Sequence, residues 1–390
     1  MTLFQNIQNS KYNKIFISFL FFLLFLLFVE WTLRITMIGG TYFDFYSYGK
    51  ITKIIRPLLF LILLGKFFEE KKYVFVFCML ILFLLCTISH AHSKTWMLFD
   101  LFLLPFFIVK FYSVRNSYNF LFYSLIVFFV CISCLDLLGL SPRIEYSREY
   151  KGIFVSREAL GFGHPNTVGY LLMIISMLYV LKKTVVNKFD VIILLGISAF
   201  CFFVPNSITS SFIVFLLGVF CFFYKDSSAV KQNSPLSKKV FCIIFSGLCL
   251  FIVFIWFIAL TGSFQNILTS LSDTLWARFS LGNQGYYTYG VKIFGQTIDF
   301  LPEHGGFPID STYFYTPIVN GLIPFLVFIL FYSLAVTIGI CAHNLKFFVI
   351  LFLCLLYGIS EYIGGSLFIF LFLPLADYFV NKQIDIKEDY

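Results

Sequence analysis

Charge is what this 390-residue chain has least of. Asp, Glu, Lys and Arg together make up 12% of it, about half the roughly 25% of a soluble domain. That scarcity excludes a conventional soluble fold, a disordered chain, a charged coiled coil and a nucleic-acid-binding domain, all of which need polar or basic surface. A separable polar domain, a repeat of fixed period and a glycine-rich phosphate loop are also lacking. The ten cysteines fall in apolar segments or on the expected inner side, which excludes an extracytoplasmic disulfide framework. Cys131 and Cys134 are spaced like a redox pair but lie inside an apolar run, where they read as packing residues. No Cys/His cluster has metal-ligand spacing. Neither a metal nor a cofactor is expected.

What is present is hydrocarbon in long blocks. Hydrophobic residues make up 60% of the chain and aromatics 21%, with 56 phenylalanines; mean hydropathy is +0.91. A bilayer-spanning helix needs about 20 consecutive apolar residues. Twelve such stretches are expected, at 15–37, 51–68, 73–89, 95–113, 119–139, 164–181, 188–204, 207–224, 240–260, 313–340, 346–361 and 363–380. The fold class is therefore all-α, a polytopic integral membrane protein of about twelve transmembrane helices forming one membrane domain over 1–390. The first stretch follows Lys11 and Lys14 but has no small-residue cleavage pattern behind it, since Val29, Glu30, Trp31 and Arg34 come next. It reads as a first helix rather than a cleaved leader. With the N-terminus inside, the inner segments carry the larger share of the 28 Lys and Arg, which places both termini in the cytoplasm. The margin is modest, because the outer segments are also basic.

Three connections stand out. The polar stretch 225–239 is an inner, solvated loop. The loops 140–163 and 261–312 fall outside, and long loops in a compact protein commonly carry function. The first holds Arg143, Arg148, Lys151 and Arg157 against Glu145, Glu149 and Glu158. Arginine presents a planar fork to phosphate oxygens, so the group suits a phosphate or pyrophosphate ligand; it equally suits a self-neutralised, solvated loop. Gly161, Gly163 and Pro165 bend the chain into the next helix, which Asn166 or His164 caps. In the second loop, Phe264, Ile267, Leu268, Leu271, Leu275 and Phe279 recur at helical spacing, predicting an amphipathic surface helix near Arg278. The tyrosines of 285–295 either stack on sugar rings or anchor at the interface.

Ionisable residues give a further clue. Glu30, Arg34, Arg56, Asp100, Asp136 and Glu361 all fall toward the outer ends of the expected helices. Charge at membrane depth faces a bundle interior or a wet cavity, although Glu30 and Arg34, four apart, also suit each other. A transporter needs such groups at mid-bilayer and on the inner half as well, and only Asp377 lies inward. The pattern favours a polar cavity opening outward.

Three islands carry a resemblance: SREALGFGHPN (156–166), WARFSLGNQ (276–284) and IDSTYFYTPIVNG (309–321). Together they resemble the Wzy-type O-antigen and capsule polymerases, relatives of the O-antigen ligases, over roughly Arg157 to Glu361. Many of those polymerases read D-N-S-Y where this chain has Asp310–Ser311–Thr312–Tyr313, and related ligases place a histidine at the Asp310 position. The resemblance implies a GT-C-like glycosyltransferase of the bacterial plasma membrane that polymerises undecaprenyl-pyrophosphate-linked oligosaccharide units on the outer leaflet. Membrane lipid, a flippase and a chain-length regulator are its implied partners; nucleic acid is not. For that reaction Arg157 and Arg278, supported by Arg148 and Arg143, would hold pyrophosphate. Asp310, then His164 and His304, would serve as base, and Asn166, Tyr313 and Glu361 would position substrate. An O-antigen ligase, a lipid-linked oligosaccharide flippase and a non-catalytic membrane protein remain as rivals.

Overall fold

A long apolar run can satisfy its backbone N–H and C=O groups away from water only by closing them within the segment, as an α-helix does. The computed structural model describes residues 11–36, 45–142, 146–150, 153–224, 236–271, 273–300, 306–362 and 366–382, and it is mostly helical. The helices are α1 (Lys11–Leu33), α2 (Phe45–Glu69), α3 (Tyr73–Ser93), α4 (Leu104–Phe111), α5 (Val114–Leu137), α6 (Pro165–Lys182), α7 (Lys188–Phe203), α8 (Ile208–Phe223), α9 (Lys238–Thr261), α10 (Gln265–Leu271), α11 (Asp273–Tyr289), α12 (Thr312–Tyr315), α13 (Leu322–Cys341), α14 (Leu345–Ser360) and α15 (Leu373–Asp377). Among the described residues six helices are long and apolar enough to cross a membrane: α1, α3, α5, α6, α9 and α13. α8 and α14 are apolar but shorter.

The outward faces are as apolar as the core. Leu61, Val74, Phe77, Phe203, Phe223 and Leu250 all stand exposed, an arrangement that is favourable when the surroundings are hydrocarbon rather than water. Inside, packing is largely aromatic, as where Phe60 stacks on Phe83 at 4.0 Å and Phe102 meets Phe372 edge-on at 5.0 Å. Hydroxyls buried among these rings bond backward to their own helix. Ser176 donates to Leu172 O at 2.8 Å and Thr337 to Ser333 O at 2.7 Å. Between α7 and α8, Ser198 and Ser211 exchange hydroxyl-to-carbonyl bonds, each 2.8 Å. Small residues let these backbones approach closely.

Four of the charged residues near helix ends, Glu30, Arg34, Arg56 and Asp100, form one largely buried network. Arg56 grips Asp100 with two bonds, Nε to Oδ1 at 2.9 Å and Nη2 to Oδ2 at 3.0 Å, and reaches Glu30 at 3.2 Å. Trp31 Nε1 donates to Asp100 at 3.1 Å, and Arg34 caps Glu30 at 2.8 Å. Arg56, Asp100 and Glu30 are all buried, so the network ties α1 and α2 to the π-helical turn Phe99–Leu103 that leads into α4.

Two expected helices are interrupted. The stretch 313–340 begins as α12, passes through a π-helical turn at Thr316–Asn320 and breaks at Gly321 before α13. Gly321 has φ +106° and ψ 165°, a region essentially reserved for glycine. The backbone groups freed by the break are taken up by an extended segment before it: Leu322 N donates to Lys292 O at 2.9 Å, Ile323 N to Ile293 O at 3.0 Å and Gln296 N to Val319 O at 2.9 Å. Gln296 locks the junction by donating its side-chain amide to Tyr289 O, Gly290 O and Ile318 O. A Cβ at Gly321 would lie 2.5 Å from Phe294 C. Gly321→Ala should therefore lower the thermal unfolding midpoint of the detergent-solubilised protein, with ~1–3 kcal/mol from backbone conformation alone; an unchanged midpoint would show that the break is not tight. The stretch 363–380 is likewise divided, into a 3-10 turn (Ser366–Leu371), α15 and a π-helical turn (Tyr378–Lys382).

The long connections also take forms that periodicity did not predict. The loop over 140–163 contains an antiparallel hairpin, β1 (Tyr146–Tyr150) with β2 (Ile153–Arg157), in which Tyr146 faces Arg157. The single surface helix expected over 264–279 is two helices, α10 and α11, and α11 packs inward. Gly282 and Gly285 leave room for Phe314 and Ile309, whose side chains would overlap a Cβ there.

Candidate functional site

Three separate stretches of chain converge at one end of the bundle. The first is the β2–α6 connection. Leu160 and Gly161 turn with positive φ, and Phe162 is fully buried with its ring stacked on Phe129 at 5.7 Å. Gly163 N donates to Ile35 O at 2.9 Å, and Thr36 pairs with Phe162 in an isolated bridge, so the end of α1 braces this turn. Tyr146 holds it from the hairpin by donating to Gly163 O at 2.6 Å. His164 then caps α6, its Nδ1 accepting from Asn166 N at 3.1 Å. That bond requires Nδ1 to be unprotonated, which leaves Nε2–H as the donor. Burial, and next the nearby Arg157 and Arg278 charges, hold the imidazole pKa below its ordinary 6.5. The ring is neutral at physiological pH.

Arg157, the last residue of β2, turns toward the bundle. Its Nε donates to Pro205 O at 3.0 Å, and its Nη2 donates to Asn166 Oδ1 at 2.5 Å. Asn166 Nδ2 in turn reaches Glu361 Oε1 at 3.4 Å.

Arg278 comes from α11. Its Nη1 is paired with Asp310 Oδ2, and its Nη2 lies 3.5 Å from Glu361 Oε1. Its Nε is buried without a hydrogen-bond partner among the described residues. The Arg278 side chain is only 14% exposed, against 32% for Asp310 and 18% for Glu361. Asn166 and Glu361 thus link the two arginines.

The residues beside Asp310 hold the third stretch in place. Ser311 Oγ donates to Gly358 O at 3.1 Å. Thr312 donates to Glu361 O from both its hydroxyl, at 2.8 Å, and its backbone N–H, at 3.2 Å. The Asp310–Thr312 segment therefore supplies one carboxylate and clamps the backbone of the other.

Of the expected site residues, Arg157, His164, Asn166, Arg278, Asp310 and Glu361 are brought together here. Tyr313 is not: it is buried at 1% exposure, its hydroxyl donating to Leu355 O at 2.9 Å while Trp256 Nε1 donates to its carbonyl at 3.1 Å. It packs the wall behind the site. Arg148 lies in β1, in register with Val155. Arg143 and His304 lie outside the described residues. Ser311 and Thr312, as clamps, and the Pro205 carbonyl, as an anchor, are not among the expected site residues. For the first pair the signal was the DSTY island itself; a backbone carbonyl leaves no signal in sequence.

Chemically, the cluster offers guanidinium N–H groups and an imidazole N–H as donors, and two carboxylates as proton acceptors. That set suits holding an anion beside a group that loses a proton. No known protein-family model, curated protein or solved structure matches this chain.

Proposed function

We propose that this chain is a Wzy-type polymerase of the bacterial plasma membrane, with about twelve spans in a GT-C-like arrangement and both termini cytoplasmic. Its substrates are undecaprenyl-pyrophosphate-linked oligosaccharides, and the growing glycan is transferred as a block to a new lipid-linked unit at the outer leaflet. The observation that carries the reading is the convergence of Arg157, His164, Asn166, Arg278, Asp310 and Glu361. They are drawn from the three sequence islands that resemble this family, plus the helix end that Thr312 clamps.

In the reaction, an acceptor sugar hydroxyl attacks the anomeric carbon of the donor glycan. The bond from that carbon to the pyrophosphate oxygen breaks, the hydroxyl proton passes to Asp310, and undecaprenyl pyrophosphate leaves. Pyrophosphate is already a good leaving group, so the main task is to stabilise its charge. Arg278, with an unused buried Nε, and Arg157 supply that. His164 is neutral and offers Nε2–H rather than charge. Asn166 and Glu361 fix the distance between the arginines.

The test is the surface polysaccharide of a strain lacking this gene. A polymerase predicts loss of the polymer with a single repeat unit still displayed, restored by the wild-type gene. Normal polymer left on its lipid carrier but never attached would mean a ligase. Loss of all surface glycan, with intermediates held on the cytoplasmic side, would mean a flippase. An unchanged profile would sink the reading.

A further inference from the structure

The charges of the site cancel. Arg278 is paired with Asp310 and Glu361, Arg157 is joined to Glu361 through Asn166, and His164 is neutral. All contacts of the Arg278 guanidinium among the described residues go to the chain's own carboxylates, Nη1 to Asp310 and Nη2 to Glu361. The Glu361 contact is 3.5 Å, at the outer limit of a hydrogen bond. Nε has a buried donor and no partner, so the carboxylates satisfy this arginine only in part. A guanidinium fork is better matched by a phosphate group, whose several oxygens carry more charge.

We propose that Asp310 and Glu361 are resident occupants of the anion site, and that the pyrophosphate of the donor binds by displacing them from Arg278. The proposal rests on the functional reading above and adds an order of events to it. A pyrophosphate cannot share the buried guanidinium with two carboxylates without strong like-charge repulsion, so its arrival moves Asp310 off Arg278. Asp310 is the more exposed of the two side chains, 32% against 18% for Glu361, and the backbone of Glu361 is also held by Thr312. A carboxylate separated from its counter-charge holds a proton more readily. Seating the donor therefore converts Asp310 from a salt-bridge partner into a base. The acceptor hydroxyl loses its proton only when a leaving group is in place.

The probe is inorganic pyrophosphate, titrated without divalent metal onto the full-length protein in nanodiscs of phosphatidylethanolamine and phosphatidylglycerol. Asp310→Asn and Glu361→Gln keep shape and hydrogen-bonding capacity while removing a competing charge. Asp310→Asn should bind pyrophosphate about tenfold tighter than wild type and Glu361→Gln about threefold tighter, the scale expected for removing one like charge a few ångströms away in a partly screened site. Arg278→Gln should lose binding by more than about tenfold. Wild-type affinity or weaker in both carboxamide variants overturns the proposal, as does binding by none of the proteins, and thermal unfolding of each verifies that it is folded. Failure of the polymerase reading shows elsewhere: tighter carboxamide variants in a chain whose deletion leaves surface polysaccharide unchanged would keep the exchange and discard the polymer.

Discussion

Arg278→Ala is expected to reduce surface polysaccharide to single repeat units in a deletion strain complemented with the variant, at normal protein level. Removing one donor to a developing anion typically costs 10²- to 10³-fold in rate, or ~3–4 kcal/mol. Arg278 presents both Nη groups and an unused Nε to the site, so its loss belongs at the upper end of that range. The fold should survive, because the Asp310 carboxylate left behind is 32% exposed and can hydrate. Arg278→Lys should fall between alanine and wild type. It keeps a cation but loses the fork that grips two oxygens at once. The checks are gel ladders of surface glycan alongside immunoblots of the membrane fraction. A full ladder from Arg278→Ala would remove this residue from the chemistry.

The second large effect belongs to stability rather than activity. Arg56→Ala should deplete folded protein from the membrane, because it strands two carboxylates, Glu30 and Asp100, that are 4% and 2% exposed. Breaking a buried pair by deleting one partner costs ~3–5 kcal/mol, and here one arginine serves both acids. A built-in comparison is Arg34→Ala. Its side chain is 53% exposed and pairs with the same Glu30, so it should cost below ~1 kcal/mol. Neutralising the acids together with the base, as Glu30→Gln, Asp100→Asn, Arg56→Met, should recover much of what Arg56→Ala loses, because the penalty is the uncompensated charge rather than the missing contact. Detergent-extracted yield and unfolding midpoints measure all three. Equal behaviour of Arg56→Ala and Arg34→Ala would show that the network is not a tether. The network also matters for the site: the end of α1 that it anchors is the one bracing Phe162 and Gly163, next to His164.

Hydrophobic run length was enough to find helical segments in each of the twelve expected stretches, because apolar runs longer than a barrel strand close their backbone bonds within the segment in an apolar medium. The site islands were legible for a different reason. Arginine, histidine and carboxylate are costly beside hydrocarbon, so their placement at the ends of apolar runs is informative by itself. What sequence left open was how these groups meet. The Gly321 break was hidden, since its cause is the segment 290–296 docking on it from elsewhere in the chain. The hairpin that delivers Arg157 was hidden too, because it is short and lacks strict alternation. The amphipathic repeat over 264–279 reads as one helix, and the fits of Gly282 to Phe314 and of Gly285 to Ile309, contacts far along the chain, turn α11 into the bundle.

The sequence by itself therefore determined the class of molecule, the positions of its apolar helices and the residues worth watching, all of which depend on local composition and solvent. The tertiary structure alone decided that Asp100, 44 positions away, is the partner of Arg56, that Arg278 faces Asp310 and Glu361, and that Tyr313 turns away from them. These outcomes are set by charge pairing and steric fit between segments far apart in the chain, and such contacts exist only once the helices have packed.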